Sequence, residues 1–544
     1  MFKRALPFII LFFVVILYTK PYFRPGFFST HDGEWAIVRL AEMQRELKDK
    51  QFPPRWADYL NHGFGYPLFS YTYPFPFYLG ETVRTLRISF VDTIKIIFVG
   101  SVFASAIFMF MLGRELAGNF AGFISALFYV VAPFRLVDLY VRGSIGESIS
   151  LALFPALCFF SIKYILKPNL PRLVLCSVLL AVLILSHNIM ALIFFPLWLI
   201  FLYVVVISYY EDIKLYSWRY FLPMILLGLG LSAYFFIPAI LEKNFVMLSR
   251  VKLANPSTNF ISLPQYLISP WSFDQPSYQL GWAHILGAVV SFLGLLFAKS
   301  IDKRKFLPLI IFLIGGILVL IFFTHPNSAE FWNVPPLSWL DFPWRLLTPL
   351  AFFLALSTIF LSLHKTTQII GVILAIITVA LSLKFAVPRD HINKLDSYYI
   401  TNDATTTSMD ELIPVWVAEK PKERYQTKVE VEKGKATISA LEYNSNSIKF
   451  AINAKTTSII KINTVYFPGW QFIFSGKNVL PNFGQHDGLM RFTVPTDYYQ
   501  VIGKFTETPV RLWSDMLTLG SIVITVLLLI FSFISRLRSK FYAK

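Results

Sequence analysis

The sequence predicts a polytopic α-helical membrane protein with an extracytoplasmic antiparallel β-sandwich near its C-terminus, and three observations carry that reading. Hydrophobic residues make up 56% of the 544 positions and charged residues only 15%, which leaves too few polar side chains to cover a water-soluble protein of this size. Apolar runs close to the ~20 residues needed to cross a bilayer recur along the chain. Between residues 388 and 510 they give way to short alternating segments punctuated by Gly, Asn and Pro, the pattern of strands and turns.

Taken in order, Lys3 and Arg4 precede an apolar run over 5–18 that is followed by Lys20, Pro21 and Arg24 rather than by a small-residue cleavage site. It reads as a retained first span with a cytoplasmic N-terminus. Further runs lie at 93–112, 118–134, 149–166, 173–185, 189–208, 221–240, 285–298, 306–323, 346–363, 369–387 and 513–534. That makes about twelve spans, the fifth and eighth of them short for a bilayer. With the N-terminus inside, the cytoplasmic connections carry Arg114, Lys163, Lys167, Arg172, Lys214, Arg219, Lys303, Arg304, Lys305 and Lys365, and the tail carries Arg536, Arg538 and Lys540, as the positive-inside rule requires. The net charge of +17 is accounted for by these short clusters and not by a nucleic-acid stripe. The long connections, 19–92, 241–284, 324–345 and 388–510, then fall outside. The chain divides into a membrane domain over 1–387, a β-rich unit over 388–510 with strands near 427–431, 436–441, 447–452, 458–462 and 489–494, and a final span and basic tail over 511–544. Cys158 and Cys176 both lie in apolar runs, which argues against a disulfide framework.

The first outer loop is the longest polar interruption in the first half of the chain. Ala36, Ile37, Leu40, Met43 and Leu47 share one helical stripe while Arg39, Glu42, Arg45 and Glu46 face the other way, predicting an amphipathic helix along the membrane interface. Asp32 stands at its N-cap and Glu34 in its first turn; capping accounts for both carboxylates, and is compatible with a role for Asp32 as a base. The aromatic stretch 52–78, with Trp56, Tyr59, Tyr66 and their neighbours around His62, suits either a headgroup-level anchor or a platform for a sugar ring. Arg55, Arg135, Arg142 and Arg345 lie at outer ends of spans, against the charge bias. Asp138, Glu147 and Asp341 are near enough in sequence to pair with them; guanidinium forks also suit a lipid-linked phosphate. His62, His187 and His325 also map outside, yet show no metal-ligand spacing with Asp32 or Glu147, so a divalent metal is a minor alternative. No Walker loop, GxSxG elbow, HExxH or dinucleotide fingerprint occurs. The stretch Gly228–Phe236, GLGLSAYFF, reads as span packing.

The motifs HDGEW (31–35), FPPRW (52–56), GFGYPLFSYTYP (63–74), APFRLVDLYVRGSIGE (132–147), LSHN (185–188), LSAYFFIPAILEKNFV (231–246), FPWRLL (342–347), ELIPVWV (411–417) and YFPGW (466–470), in that order, resemble the bacterial membrane proteins called pyruvoyl-tetrahydropterin-synthase-related and are similar in plan to the YfhO-type membrane proteins. The resemblance covers nearly the whole chain. It implies a fold like that of the GT-C membrane glycosyltransferases, in which an acidic residue in the first outer loop acts as base or orients the acceptor; by position that residue is Asp32, with Glu34 beside it. HDGE is only a near match to the Asp-Glu and Asp-x-Asp signatures of such enzymes.

The expected activity is transfer of a sugar from a polyprenyl-phosphate donor to a cell-envelope acceptor on the outer face of a bacterial membrane, without a resident cofactor. Asp32 is the expected base, helped by Glu34 or Glu147. Arg142 and Arg345, and more weakly Arg55, are expected to hold phosphate, with His62, His187, Tyr66 and Trp344 lining the substrate site. The alternative is a non-catalytic transporter, flippase or assembly factor for lipid-linked envelope glycans. Transporters commonly pair half-repeats around ionisable residues at mid-membrane, and neither an internal repeat nor deep charges stand out here.

Overall fold

A computed structural model describes residues 2–542 except 210–217, 275, 298–302 and 485; Lys214 lies outside the described residues. Among these, nine helices are long and apolar enough to cross a membrane: Ala5–Phe23, Phe90–Ala117, Ile145–Leu166, Asn188–Tyr209, Arg219–Leu241, Phe306–Thr324, Pro343–Leu363, Lys365–Phe385 and Pro509–Leu537. Asn119–Val130 and Pro133–Arg142 form a further bent pair, and Leu170–Ser186 and Trp282–Leu296 are shorter apolar helices. All twelve runs expected from the sequence are therefore helical, but only nine have the length and apolarity of an uninterrupted span. Close packing rests on small residues: a Cβ on Gly228 would stand 2.8 Å from Leu180, and one on Gly230 2.1 Å from the Ser521 hydroxyl.

The long connections gather at one end of the bundle and are stitched together. Strand β1 (Phe27–Phe28) pairs antiparallel with β2 (His391–Ile392), joining the first connection to the last. The Ile261 amide donates to the Thr324 carbonyl at 2.8 Å and the Met247 amide to that of Ile413 at 2.9 Å. The β-rich unit has eight strands: β3 (Val429–Lys433), β4 (Ala436–Asn444), β5 (Ser447–Ala454), β6 (Ser458–Val465), β7 (Trp470–Phe474), β8 (Lys477–Val479), β9 (Leu489–Val494) and β10 (Asp497–Phe505). They form an antiparallel sheet of order β4-β5-β10-β7-β8 and a second of order β3-β6-β9. The alternating buried positions of β7, Trp470, Phe472 and Phe474, meet Phe492 of β9 at ring distances of 4.8 and 4.9 Å for Phe472 and Phe474, so the apolar faces of the two sheets form one core.

The first-loop helix (Gly33–Lys48) departs from expectation. It does not lie on the membrane surface with its polar face in water: Glu42 and Glu46 are fully buried and Arg39 is 9% exposed. The chain over 400–407 covers that face, with Arg45 donating to the Ile400 carbonyl and Arg39 to the carbonyl and, at 3.1 Å, the hydroxyl of Thr406. Burial pushes the Glu42 carboxyl up to about 8, against the pull of Arg45. Burial, then the charges of Glu42, Asp58 and Asp49, raise that of Glu46 well above the carboxylate range, and neither of its oxygens has a partner. Both groups hold a proton in the folded chain that an unfolded chain releases above its ordinary carboxylate pKa. Their contribution is therefore present at acid pH and lost as pH rises. The unfolding temperature is expected to fall between about pH 5 and pH 8, and Glu46→Gln to flatten that slope; a pH series of thermal unfolding on both proteins checks it.

Candidate functional site

The polar core of the knitted end begins at a break in a helix. Pro133 opens a short turn of helix (Pro133–Val137), and a single π-turn (Asp138–Arg142) follows it; such turns inside helices frequently occur at functional sites. Gly143 ends the turn at φ +65°, where a Cβ would stand 2.3 Å from the Thr30 hydroxyl and 2.7 Å from the Gly33 nitrogen. The close approach lets the first loop bond directly to the turn: the His31 amide donates to the Val141 carbonyl at 3.0 Å and the Asp32 amide to the Arg142 carbonyl at 2.7 Å. Asp32 and Arg142, 110 positions apart in the sequence, are thus main-chain neighbours.

The Asp32 side chain does not cap the helix it precedes; the Gly33 amide instead donates to the Thr30 hydroxyl at 2.9 Å. Among the described residues the Asp32 carboxylate, half-buried, has no hydrogen-bond or ion-pair partner, while its charge acts on Tyr73, Asp138 and Arg142. Arg142 donates to Asp138 at 3.1 Å and to Glu147, and stacks over Trp344 at 4.8 Å. Arg345 donates to Asp341 at 3.2 Å and to the Leu340 carbonyl, with its Nε unpartnered, and lies 6.0 Å from the same indole ring. Arg142 thus stacks on Trp344, while Arg345 beside it lies closer to the Phe342 ring, at 4.9 Å. His187 stacks on Tyr73 at 4.9 Å, and its Nδ1 accepts the Met190 amide at 3.2 Å. That bond leaves Nε2 as the nitrogen that bears the proton. Burial, and then Arg345, Arg142 and Arg39, hold this imidazole well below its usual pKa, so it is a neutral donor. Burial raises the Tyr73 phenol to about 12, with Arg39 and Arg142 pulling down and Asp32 and Asp138 pushing up.

The site thus brings together Asp32, Arg142, Arg345, His187 and Trp344. Arg39 and Tyr73 join them without having been singled out. Arg39 lies seven positions beyond Asp32, two turns along one helix face, a spacing that could have marked it.

Several expected members are elsewhere. Glu147 is fully buried with one oxygen on Arg142 and the other accepting from the Thr348 hydroxyl; it anchors Arg142. Glu34 faces Tyr399 on the covering segment, and burial raises its carboxyl. Arg55 is 1% exposed and spent on Glu507 at 2.9 Å, Asp515 at 2.7 Å and the Tyr234 carbonyl at 3.0 Å. It clamps the last span to the bundle, beside the buried Arg511–Glu242 pair at 2.7 Å. Arg55→Met is expected to lower stability by about 2–3 kcal/mol, measured by denaturant unfolding, because two partly covered carboxylates lose their cation. His62 pairs with Asp403 at 3.2 Å, and Tyr66 is fully buried, bonding Thr407 at 2.5 Å and accepting the Leu412 amide at 3.2 Å. Trp56 and Tyr66 of the aromatic loop are buried between the bundle and the β-rich unit, whereas Tyr73 stands in the site. Trp56 packs at 5.6–6.3 Å against Phe467, Trp470 and Phe505, so these rings glue the bundle to the β-rich unit. Among the described residues no three His, Cys, Asp or Glu side chains are placed to hold a metal ion.

A helical bundle with nine spans among the described residues, or ten if the bent pair is one, whose connections fold over one end and gather arginines around an unengaged aspartate, defines a multi-pass membrane protein with a charged site at that end. The chain belongs to the 6-pyruvoyl-tetrahydropterin synthase related domain family of membrane proteins, whose model matches residues 69–388. That agrees with the resemblance carried by its motifs; the matched stretch holds Arg142, Glu147, His187 and Arg345, and Asp32 precedes it. A protein of Lactococcus lactis subsp. cremoris (strain MG1363) is 24% identical over 240 residues, 42% of this chain and 39% of that one, so the match spans about two fifths of the relative's length. Among solved structures, the arabinofuranosyltransferase AftD from mycobacteria is 13% identical with a TM-score of 0.47, covering 73% of this chain and 28% of that chain. The oligosaccharyltransferase of Archaeoglobus fulgidus is 13% identical with a TM-score of 0.45, covering 78% and 62%.

Proposed function

We propose that the protein is a membrane glycosyltransferase that moves a sugar from a polyprenyl-phosphate donor to a cell-envelope acceptor at the outer face. The observation that carries this reading is the union of a half-buried, unengaged Asp32 with Arg142 and Arg345 beside the Trp344 indole. A phosphate-linked sugar brings its own leaving group, so the protein has only to take a proton from the acceptor and neutralise the departing phosphate. Asp32 accepts the acceptor's hydroxyl proton as that oxygen bonds to the anomeric carbon. The bond from carbon to phosphate oxygen breaks, its electron pair leaves with the phosphate, and Arg142, Arg345 and Arg39 offset the charge. A single displacement inverts the anomeric centre. His187, as a neutral donor, and Tyr73 suit hydroxyl groups of the sugar or non-bridging phosphate oxygens, and the apolar helices beside the site suit the lipid chain.

The test is a comparison of envelope glycans from cells with and without the protein. Loss of one glycosidic linkage, restored by the wild type and not by Asp32→Asn, is the expected result. A glycan set unchanged in linkage, with lipid-linked sugar redistributed between leaflets, would instead identify a flippase.

A further inference from the structure

We propose that the donor's polyprenyl chain lies along an exposed apolar strip that runs from Leu318 and Phe322 of the span Phe306–Thr324, over Phe331 and Val334, to Trp339; the inference rests on the phosphate reading above. Most of that span faces away from the bundle, and Leu318 and Phe322 are exposed on it. The connection that follows keeps the same character. Phe331, Val334 and Trp339 are each more than half exposed, and between Thr324 and Asp341 the sequence holds one carboxylate, Glu330, and no Lys or Arg.

Local bonds hold these side chains outward. Trp332 turns inward, is 2% exposed, and donates its indole N–H to the Phe323 carbonyl at 2.9 Å. Phe331, its neighbour, meets Phe322 at 5.8 Å and Phe323 at 5.9 Å between ring centres, so the outward face of the span continues onto the connection. The Val334 amide donates to the Phe331 carbonyl at 3.2 Å, and the Ser338 amide to that of Val334 at 3.2 Å. The strip then reaches the site: Arg345 donates to the carbonyl of Leu340, the residue after Trp339, and at 3.2 Å to Asp341. A contiguous apolar surface beside a lipid-facing span suits lipid or a partner protein, and its continuity with Arg345 selects the lipid chain. A phosphate held by Arg345 draws the isoprene units nearest to it out of the hydrocarbon, where apolar surface left in water is unfavourable. A strip from the bilayer to the arginine covers those units.

The test puts the photo-crosslinking residue p-benzoylphenylalanine in place of Val334, or in place of the exposed Leu480 of the β-rich unit as a control, in full-length protein in lipid nanodiscs with undecaprenyl monophosphate or undecaprenol. Equilibrium binding of both lipids to the unaltered protein is measured alongside. The protein is expected to prefer the phosphate roughly tenfold, and the adduct at position 334 to favour undecaprenyl monophosphate over undecaprenol by a similar factor, with little adduct at position 480. Val334→Ser combined with Trp339→Ser should weaken binding of undecaprenyl monophosphate roughly tenfold and leave the unfolding temperature unchanged, since both side chains are exposed. Binding that prefers the phosphate while position 334 captures both lipids alike or captures protein, or full affinity in the double variant, would overturn the strip and leave the phosphate site standing. A protein that does not distinguish the two lipids would remove both.

Discussion

Replacing Asp32 with Asn is expected to reduce glycosyl transfer by roughly 10²–10⁴-fold without changing the unfolding temperature. The substitution removes the acceptor of the hydroxyl proton and nothing structural. The Asp32 carboxylate has no partner among the described residues, the Thr30 hydroxyl does the capping, and Asn suits an N-cap position equally well. The placement of residue 32 rests on its main-chain bond to Arg142, which the variant keeps. Glu34→Gln in the same assay should remain near wild type, because burial alone raises the Glu34 carboxyl and its charge acts on Tyr399. Initial rates with purified protein and thermal unfolding of both variants decide the point; full activity in Asp32→Asn would exclude it as the base.

Arg142→Met should behave differently, losing both fold and function. Its removal strands Glu147, fully buried, and Asp138, 1% exposed, without the cation that compensates them. Stranding buried charge in this way costs about 3–5 kcal/mol. Adding Glu147→Gln should recover much of that stability, since a neutral amide still accepts from Thr348, and should not restore donor binding. Unfolding free energies of the single and double variants, together with donor affinity, separate the two roles of one guanidinium. A stable Arg142→Met that still binds donor would contradict both.

Much of the fold was legible because the bilayer restricts it. Apolar length finds helices, and alternation located five of the eight strands of the β-rich unit. β10 escaped because Tyr498, Tyr499 and Gly503 inside it blur the period, and β7 and β8 are only five and three residues long. Ala132 and Pro133 break one apolar run into a bent pair, and two other runs form helices shorter than a usual span. The first-loop helix was recognised, yet its environment was not. An amphipathic stripe reads the same whether water or a distant part of the chain covers its polar face, and here residues some 360 positions later cover it. The same blindness applies to Arg55, Glu147 and His62, whose partners Glu507, Thr348 and Asp403 are far away in sequence. Asp32, Arg142 and Arg345 could be singled out because an acid and cations at the ends of apolar runs are costly there whatever their partners.

The measurement that bears most directly on this account is a structure of the full-length protein with a polyprenyl-phosphate sugar bound. The account predicts the phosphate within hydrogen-bonding distance of Arg142 and Arg345, and the anomeric carbon facing the Asp32 carboxylate across a gap that admits an acceptor hydroxyl. A donor whose phosphate lies away from both arginines, or whose sugar sits beyond reach of Asp32, would contradict it.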